Sequence, residues 1–80
     1  MTIGIAVRKR IYELCRERKI TINRLATLCG VTQSTINNIV TGRNHSTTVA
    51  TIKKICDGLG ISMAEFFTSS LFEGLEPEVK

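Results

Sequence analysis

No tryptophan, a single tyrosine, a single proline and a single histidine occur among the 80 residues. With His45 the only imidazole, and with Cys15, Cys29 and Cys56 scattered without a C-x-x-C spacing, the chain lacks both a zinc-ligand set and a disulfide framework. All three cysteines fall at apolar positions of helical patterns, which marks them as small buried hydrophobes in a reducing compartment. A Ser-His-Asp set and a phosphate-cradling glycine loop are also missing, so no catalytic residue, metal ligand, cofactor or small-molecule ligand is expected, and the enzyme class drops out. No apolar run approaches the roughly 18 residues of a membrane span. The opening MTIGIAV is too short for a secretory core, and its basic residues, RKR, follow it where a signal peptide places them first. A cytoplasmic chain with no membrane partner is expected.

What is present is globular material, with 42% hydrophobic residues, 22% charged residues and a mean hydropathy of +0.10. Eighty residues support one small core. The net charge of +4 is unevenly spread. Residues 1–45 hold Arg8, Lys9, Arg10, Arg16, Arg18, Lys19, Arg24 and Arg43 against Glu13 and Glu17, a balance of +6, whereas residues 46–80 come to −2. The first half is the side that suits a polyanion.

Apolar residues recur at helical spacing along most of the chain. Val7, Ile11, Leu14 and Cys15 mark a first helix over Ile3 to Arg18. Thr21 caps a second, with Ile22, Leu25, Ala26 and Cys29 inward and Gly30 at its end. Thr32 caps a third, held by Ile36, Ile39 and Val40 and closed by Gly42. A fourth runs from about Thr48, with Val49, Ile52, Ile55, Cys56 and Leu59 as its buried stripe and Gly60 as its stop. Ser62 and Glu65 form a capping box for a fifth through Phe66 and Phe67. Leu71, Phe72 and Leu75 could lengthen that last helix, with the end beyond Gly74 frayed. The β-branched residues do not alternate, so the expected fold class is all-α, a compact five-helix bundle. Its domain is residues 1–68, followed by an acidic tail over 69–80.

Residues 21–42 satisfy several steric constraints together. Ala26 is small where two helix backbones must approach, Gly30 turns the chain without a Cβ penalty, Val31 fills the space beneath the turn, and Ile36 and Ile39 tie the third helix to the second. These are the requirements of a helix-turn-helix. The stretch LATLCGVTQSTINNIVTGR followed by TIKKICDGLGISMAEFF resembles the phage repressor (Cro and C1) type of helix-turn-helix regulator, the XRE family, over about residues 7–67. The resemblance implies a lambda-repressor-like, sequence-specific DNA-binding domain of bacterial or phage origin, usually a repressor acting as a dimer on a partly palindromic operator.

With Ile36, Ile39 and Val40 inward, helical period places Ser34, Asn37, Asn38 and Thr41 outward, with Gln33 and Thr35 beside them. Amides pair with adenine edges and hydroxyls with either kind of pair, so this helix, 32–41, suits double-stranded DNA rich in A·T. Candidate base-reading residues are Gln33, Ser34, Asn37 and Asn38, and the resemblance implies base contacts from Gln33, Ser34 and Asn38 in particular. Candidate backbone contacts are Thr21, Arg24, Thr35, Thr41, Arg43 and Asn44, with the N–H groups near Thr47 and Thr48. Arg8, Lys9, Arg10, Arg16 and Arg18 are expected to face solvent. The chain departs from the pattern of the family it resembles in having Ile22 where many relatives carry a bracing glutamine, and Cys15 and Val40 where many relatives bury an arginine–glutamate pair. Phe66, Phe67, Leu71 and Phe72 exceed what one small core needs, which makes them candidates for a homodimer interface or, alternatively, for the partner-binding surface of an antitoxin or co-regulator.

Overall fold

In the computed structural model, which describes residues 1–41 and 47–79, every α-helix begins on a hydroxyl. Thr2, Thr21, Thr32, Thr48 and Ser62 lie in extended backbone, and their side chains accept from the N–H groups of Ile5, Arg24, Thr35, Thr51 and Glu65. Each hydroxyl thus satisfies one of the donors that a helix N-terminus leaves over. The helices that follow are α1 (Ile3–Arg18), α2 (Ile22–Cys29), α3 (Gln33–Val40), α4 (Val49–Leu59) and α5 (Met63–Phe67), and a single 3-10 turn covers Ser70–Phe72. The capping box at Ser62 forms as expected, with Glu65 reaching back to the Ser62 N–H.

Three of the junctions are built alike. After α1, α2 and α4 the chain passes through a left-handed residue, an aliphatic residue and a hydroxyl cap: Lys19-Ile20-Thr21, Gly30-Val31-Thr32 and Gly60-Ile61-Ser62. In each, the aliphatic residue's N–H returns to the carbonyl five residues back: Ile20 to Cys15 at 3.0 Å, Val31 to Ala26 at 3.2 Å and Ile61 to Cys56 at 3.0 Å. Ile20, Val31 and Ile61 all pack against the core. The result is a Schellman closure with its apolar contact, used three times.

The core takes one stripe from each helix, with Ile11, Leu25, Ile36, Ile55, Cys56 and Phe66 fully enclosed. Cys15, Cys29 and Cys56 are free, buried thiols, and burial pushes the Cys29 thiol up to about 11, with Cys15 and Cys56 adding in the same direction. Thiols so placed behave as apolar side chains. Cys15 and Val40, expected to stand in for an ion pair, are both in the core, an apolar solution that avoids desolvating two charges.

Helices α2 and α4 approach closely at Gly58. A Cβ there would lie 2.8 Å from Cys29 Sγ and from the Leu28 carbonyl oxygen, and 2.9 Å from Cys29 Cα. This approach lies one turn along α2 from Ala26, which is itself buried in the core.

Four expectations need correction. Arg10 does not face solvent. It is buried on α1, where Nε donates to the Phe66 carbonyl at 2.7 Å, Nη2 to the Glu65 carbonyl at 2.8 Å, and Nη1 pairs with Glu13. The carbonyls left over at the end of α5 draw the guanidinium inward. Val49, placed in the buried stripe of α4, is 71% exposed, because the first residue of the helix lies past the edge of the core. Leu71 and Phe72 do not lengthen α5: Thr68 leaves helical backbone, and they belong to the separate 3-10 turn, which packs on α1. Beyond Gly74 the chain returns to the N-terminus, where the Glu76 N–H donates to the Met1 carbonyl at 3.1 Å and its carboxylate lies 3.7 Å from the α-ammonium.

Two substitutions test this packing by chemical denaturation. Gly58→Ala should gain about 1 kcal/mol in helix propensity yet lower net stability by about 1–3 kcal/mol, since α2 backbone as well as Cys29 Sγ blocks the new methyl. A variant as stable as the parent would mean that α2 and α4 separate freely. Arg10→Met should lower stability by about 2–3 kcal/mol, by leaving the Phe66 carbonyl without its donor and Glu13 without its cation.

Candidate nucleic-acid interface

Helix α3 sits outward because α1 and α2 support its back. Ile36, Ile39 and Val40 are buried; Gln33, Ser34 and Asn37 are exposed; Thr35 and Asn38 are half-buried. The outward residues carry donors and acceptors but no charge, and Gln33, Ser34 and Asn37 lie within little more than one turn. Asn38, at the edge of the stripe, is the least free of the four expected readers.

The hydroxyls divide by function. Thr32 Oγ1 accepts from the Thr35 N–H at 3.1 Å and lies 2.9 Å from Thr35 Oγ1. Thr41 closes the described part of α3, its Oγ1 donating to the Asn37 carbonyl at 2.6 Å. Thr35 and Thr41 are therefore already engaged in the helix they belong to. Thr21 Oγ1 accepts from the Arg24 N–H at 3.0 Å, which leaves its own proton free to donate outward, and Arg24 is exposed beside it. Ile22 packs against the core, so an apolar contact holds the first turn of α2 in place of the expected bracing glutamine. At α4, Thr48 Oγ1 accepts from the Thr51 N–H at 3.1 Å, and the exposed first turn presents a second helix N-terminus. Gly42, expected to close α3, and Arg43 and Asn44, expected to lie near a DNA backbone, are outside the described residues, as is His45.

The interface candidates at the far end separate from one another. Phe66 is fully buried and serves the core, so it is not available to a partner. Phe67, 38% exposed, and half-buried Phe72 stack around it, with ring centroids of 4.9 Å for Phe66–Phe67 and 5.0 Å for Phe67–Phe72. Leu71 is half-buried beside them. Sequence reading missed Arg10 and Gly58, since neither a mid-helix arginine nor a mid-helix glycine announces its partner by spacing.

A helix-turn-helix family profile matches residues 11–66. Over 47 residues the chain is 40% identical to the uncharacterized HTH-type transcriptional regulator RghRB of Bacillus subtilis (strain 168). That match covers 59% of this chain and 34% of the relative, so the chain spans about a third of the relative's length. The crystal structure of prophage Lp1 protein 11 is similar at 43% identity with a TM-score of 0.78, over 86% of this chain and 91% of that one.

The outward residues of α3 should be dispensable for folding, and its cap should not. Thr32→Ala is expected to cost about 1 kcal/mol of stability, whereas Gln33→Ala should stay within about 0.5 kcal/mol of the parent. A thermal melt of each variant separates the two, and equal losses would place Gln33 in the scaffold.

Proposed function

The chain belongs to the helix-turn-helix family whose profile spans residues 11–66, and on that premise we propose that it is a sequence-specific DNA-binding transcriptional regulator, a repressor acting as a homodimer. The observation that carries the reading is α3, whose outward face holds amides and hydroxyls alone while its three aliphatic residues are buried. In this reading α3 enters the major groove, where Gln33, Asn37 and Asn38 meet adenine edges and Ser34 meets either kind of pair. Thr21 and Arg24 hold the phosphates beside the start of α2, and the first turn of α4 faces a further phosphate through its N–H groups. The relative's printed name, an HTH-type transcriptional regulator, supports the same assignment.

One helix in one groove rarely gives enough affinity, which favours two copies on two half-sites. Phe67, Leu71 and the rim of Phe72 form the apolar surface available for that contact. The half-sites would then be centred one helical turn apart, roughly 34–36 Å.

Selection of bound sites from a random duplex pool, followed by titration of variants, tests the assignment. Arg24→Ala should weaken every duplex alike and flatten the dependence of log K on log salt by about one unit. Asn38→Ala should cost about 1–3 kcal/mol on the selected site and little on mixed sequence. Equal affinity of Asn38→Ala and Gln33→Ala with the parent on the selected site would remove α3 as the reader. A monomer protecting one half-site would remove the dimer and leave the reader intact.

A further inference from the structure

The three alike junctions differ at one position. Two of them place glycine in the left-handed conformation, Gly30 at φ 67° and Gly60 at φ 69°; the first places Lys19 there, at φ 56° and ψ 43°. Among the described residues Lys19 is the one non-glycine with positive φ. A Cβ in this conformation crowds the following carbonyl, a strain of the kind that persists where something else requires the side chain. The hydrogen bonds do not require it, since Gly30 and Gly60 make the same closure.

Nor does helix α1 need the charge for itself. Arg16 and Arg18 already occupy its last turn, where cations oppose the negative end of the helix dipole. Lys19 is exposed, and it takes part in none of the ion pairs among the described residues, which are Met1–Glu76, Arg10–Glu13 and Lys53–Asp57. The nearest carboxylate in sequence, Glu17, does not reach it.

Its place in the fold supplies the reason. Lys19 stands two residues before Thr21, so its Cα lies at most about 7 Å from that of the cap. Thr21 and exposed Arg24 are the phosphate contacts proposed at the start of α2. We propose that Lys19 is a further phosphate-anchoring residue, carrying the DNA interface back from α2 onto the end of α1. The proposal rests on the DNA-binding reading above. The ligand is the sugar-phosphate backbone flanking the bases read by α3. The ammonium acts there as a mobile point charge, which a four-carbon stem suits better than a fixed fork. Lys19 adds affinity and no sequence preference.

Lys19→Gly separates the two requirements on this residue, because it relieves the backbone and deletes the cation together. Melting temperature should rise by about 4–8 °C, the shift that relief of about 1 kcal/mol gives in a domain of this size. Affinity for mixed-sequence duplex DNA, measured by titration at several salt concentrations, should fall about five- to tenfold. The slope of log K against log salt should flatten by about 0.9, the signature of one lost phosphate contact. Lys19→Ala keeps the strain, so it should lose affinity equally with no gain in melting temperature; Lys19→Arg should bind as the parent does. Parental affinity and salt slope in Lys19→Gly would overturn the proposal while leaving the DNA-binding reading in place. A parent protein that binds no duplex at low salt would overturn both.

Discussion

The close approach of α2 to α4 at Gly58 is the constraint on which the outward geometry depends. Glycine inside a helix costs about 1 kcal/mol against alanine, and here the space left by the missing side chain is filled by Cys29 Sγ and by α2 backbone. With α2 seated that closely, its own far side presents Thr21 and Arg24, and the tight turn at Gly30 fixes where α3 begins. A wider spacing would lift α2 and move α3 with it, since a three-residue junction with both ends hydrogen-bonded has little slack. The position of the polar helix is therefore coupled, through α2, to a close contact that α3 does not itself make.

Repetition of one junction explains how so short a chain holds five helices in place. Each use closes the outgoing helix, buries an aliphatic residue and caps the incoming helix within three residues. Little is left to loop entropy. The arrangement between α1 and α5 is closed differently, by the Arg10 guanidinium on the carbonyls of Glu65 and Phe66, with Ser69 Oγ donating to Glu13 at 3.5 Å. That polar clamp joins residues far apart in sequence and holds the aromatic end of the molecule against the first helix.

The contrast between these two kinds of closure shows what the sequence makes legible. Hydroxyl caps, left-handed stops and aliphatic spacing act over three to five residues, and helix order, the caps at Thr21, Thr32 and Ser62, and the burial of Ile36, Ile39 and Val40 could all be read from them. Arg10 was misread because its partners are backbone carbonyls on α5, which have no side-chain signature, and a lone arginine at helical spacing looks like any solvated one. Val49 was misread because periodicity continues to the last residue of a pattern even where the core has ended. The candidate readers Gln33, Ser34 and Asn37 follow from periodicity, whereas the half-burial of Asn38 depends on how closely α3 lies against its neighbours.

The division between an uncharged reading face and cations at its margins has a physical consequence for the proposed regulator. Charge on the reading helix would add affinity to any duplex, because phosphates attract it whatever the bases are, and it would raise the background against which the operator must compete. Amides gain little unless the base edge offers a matching donor and acceptor, and a mismatch leaves buried polar groups unpaired. Placing Arg24 at the margin and keeping α3 neutral lets salt set how tightly the protein holds DNA in general, while discrimination between sequences rests on short-range hydrogen bonds that salt screens little. The weak helix formers of α3 are the cost of that separation, offset from behind by three aliphatic residues and at the start by the Thr32 cap.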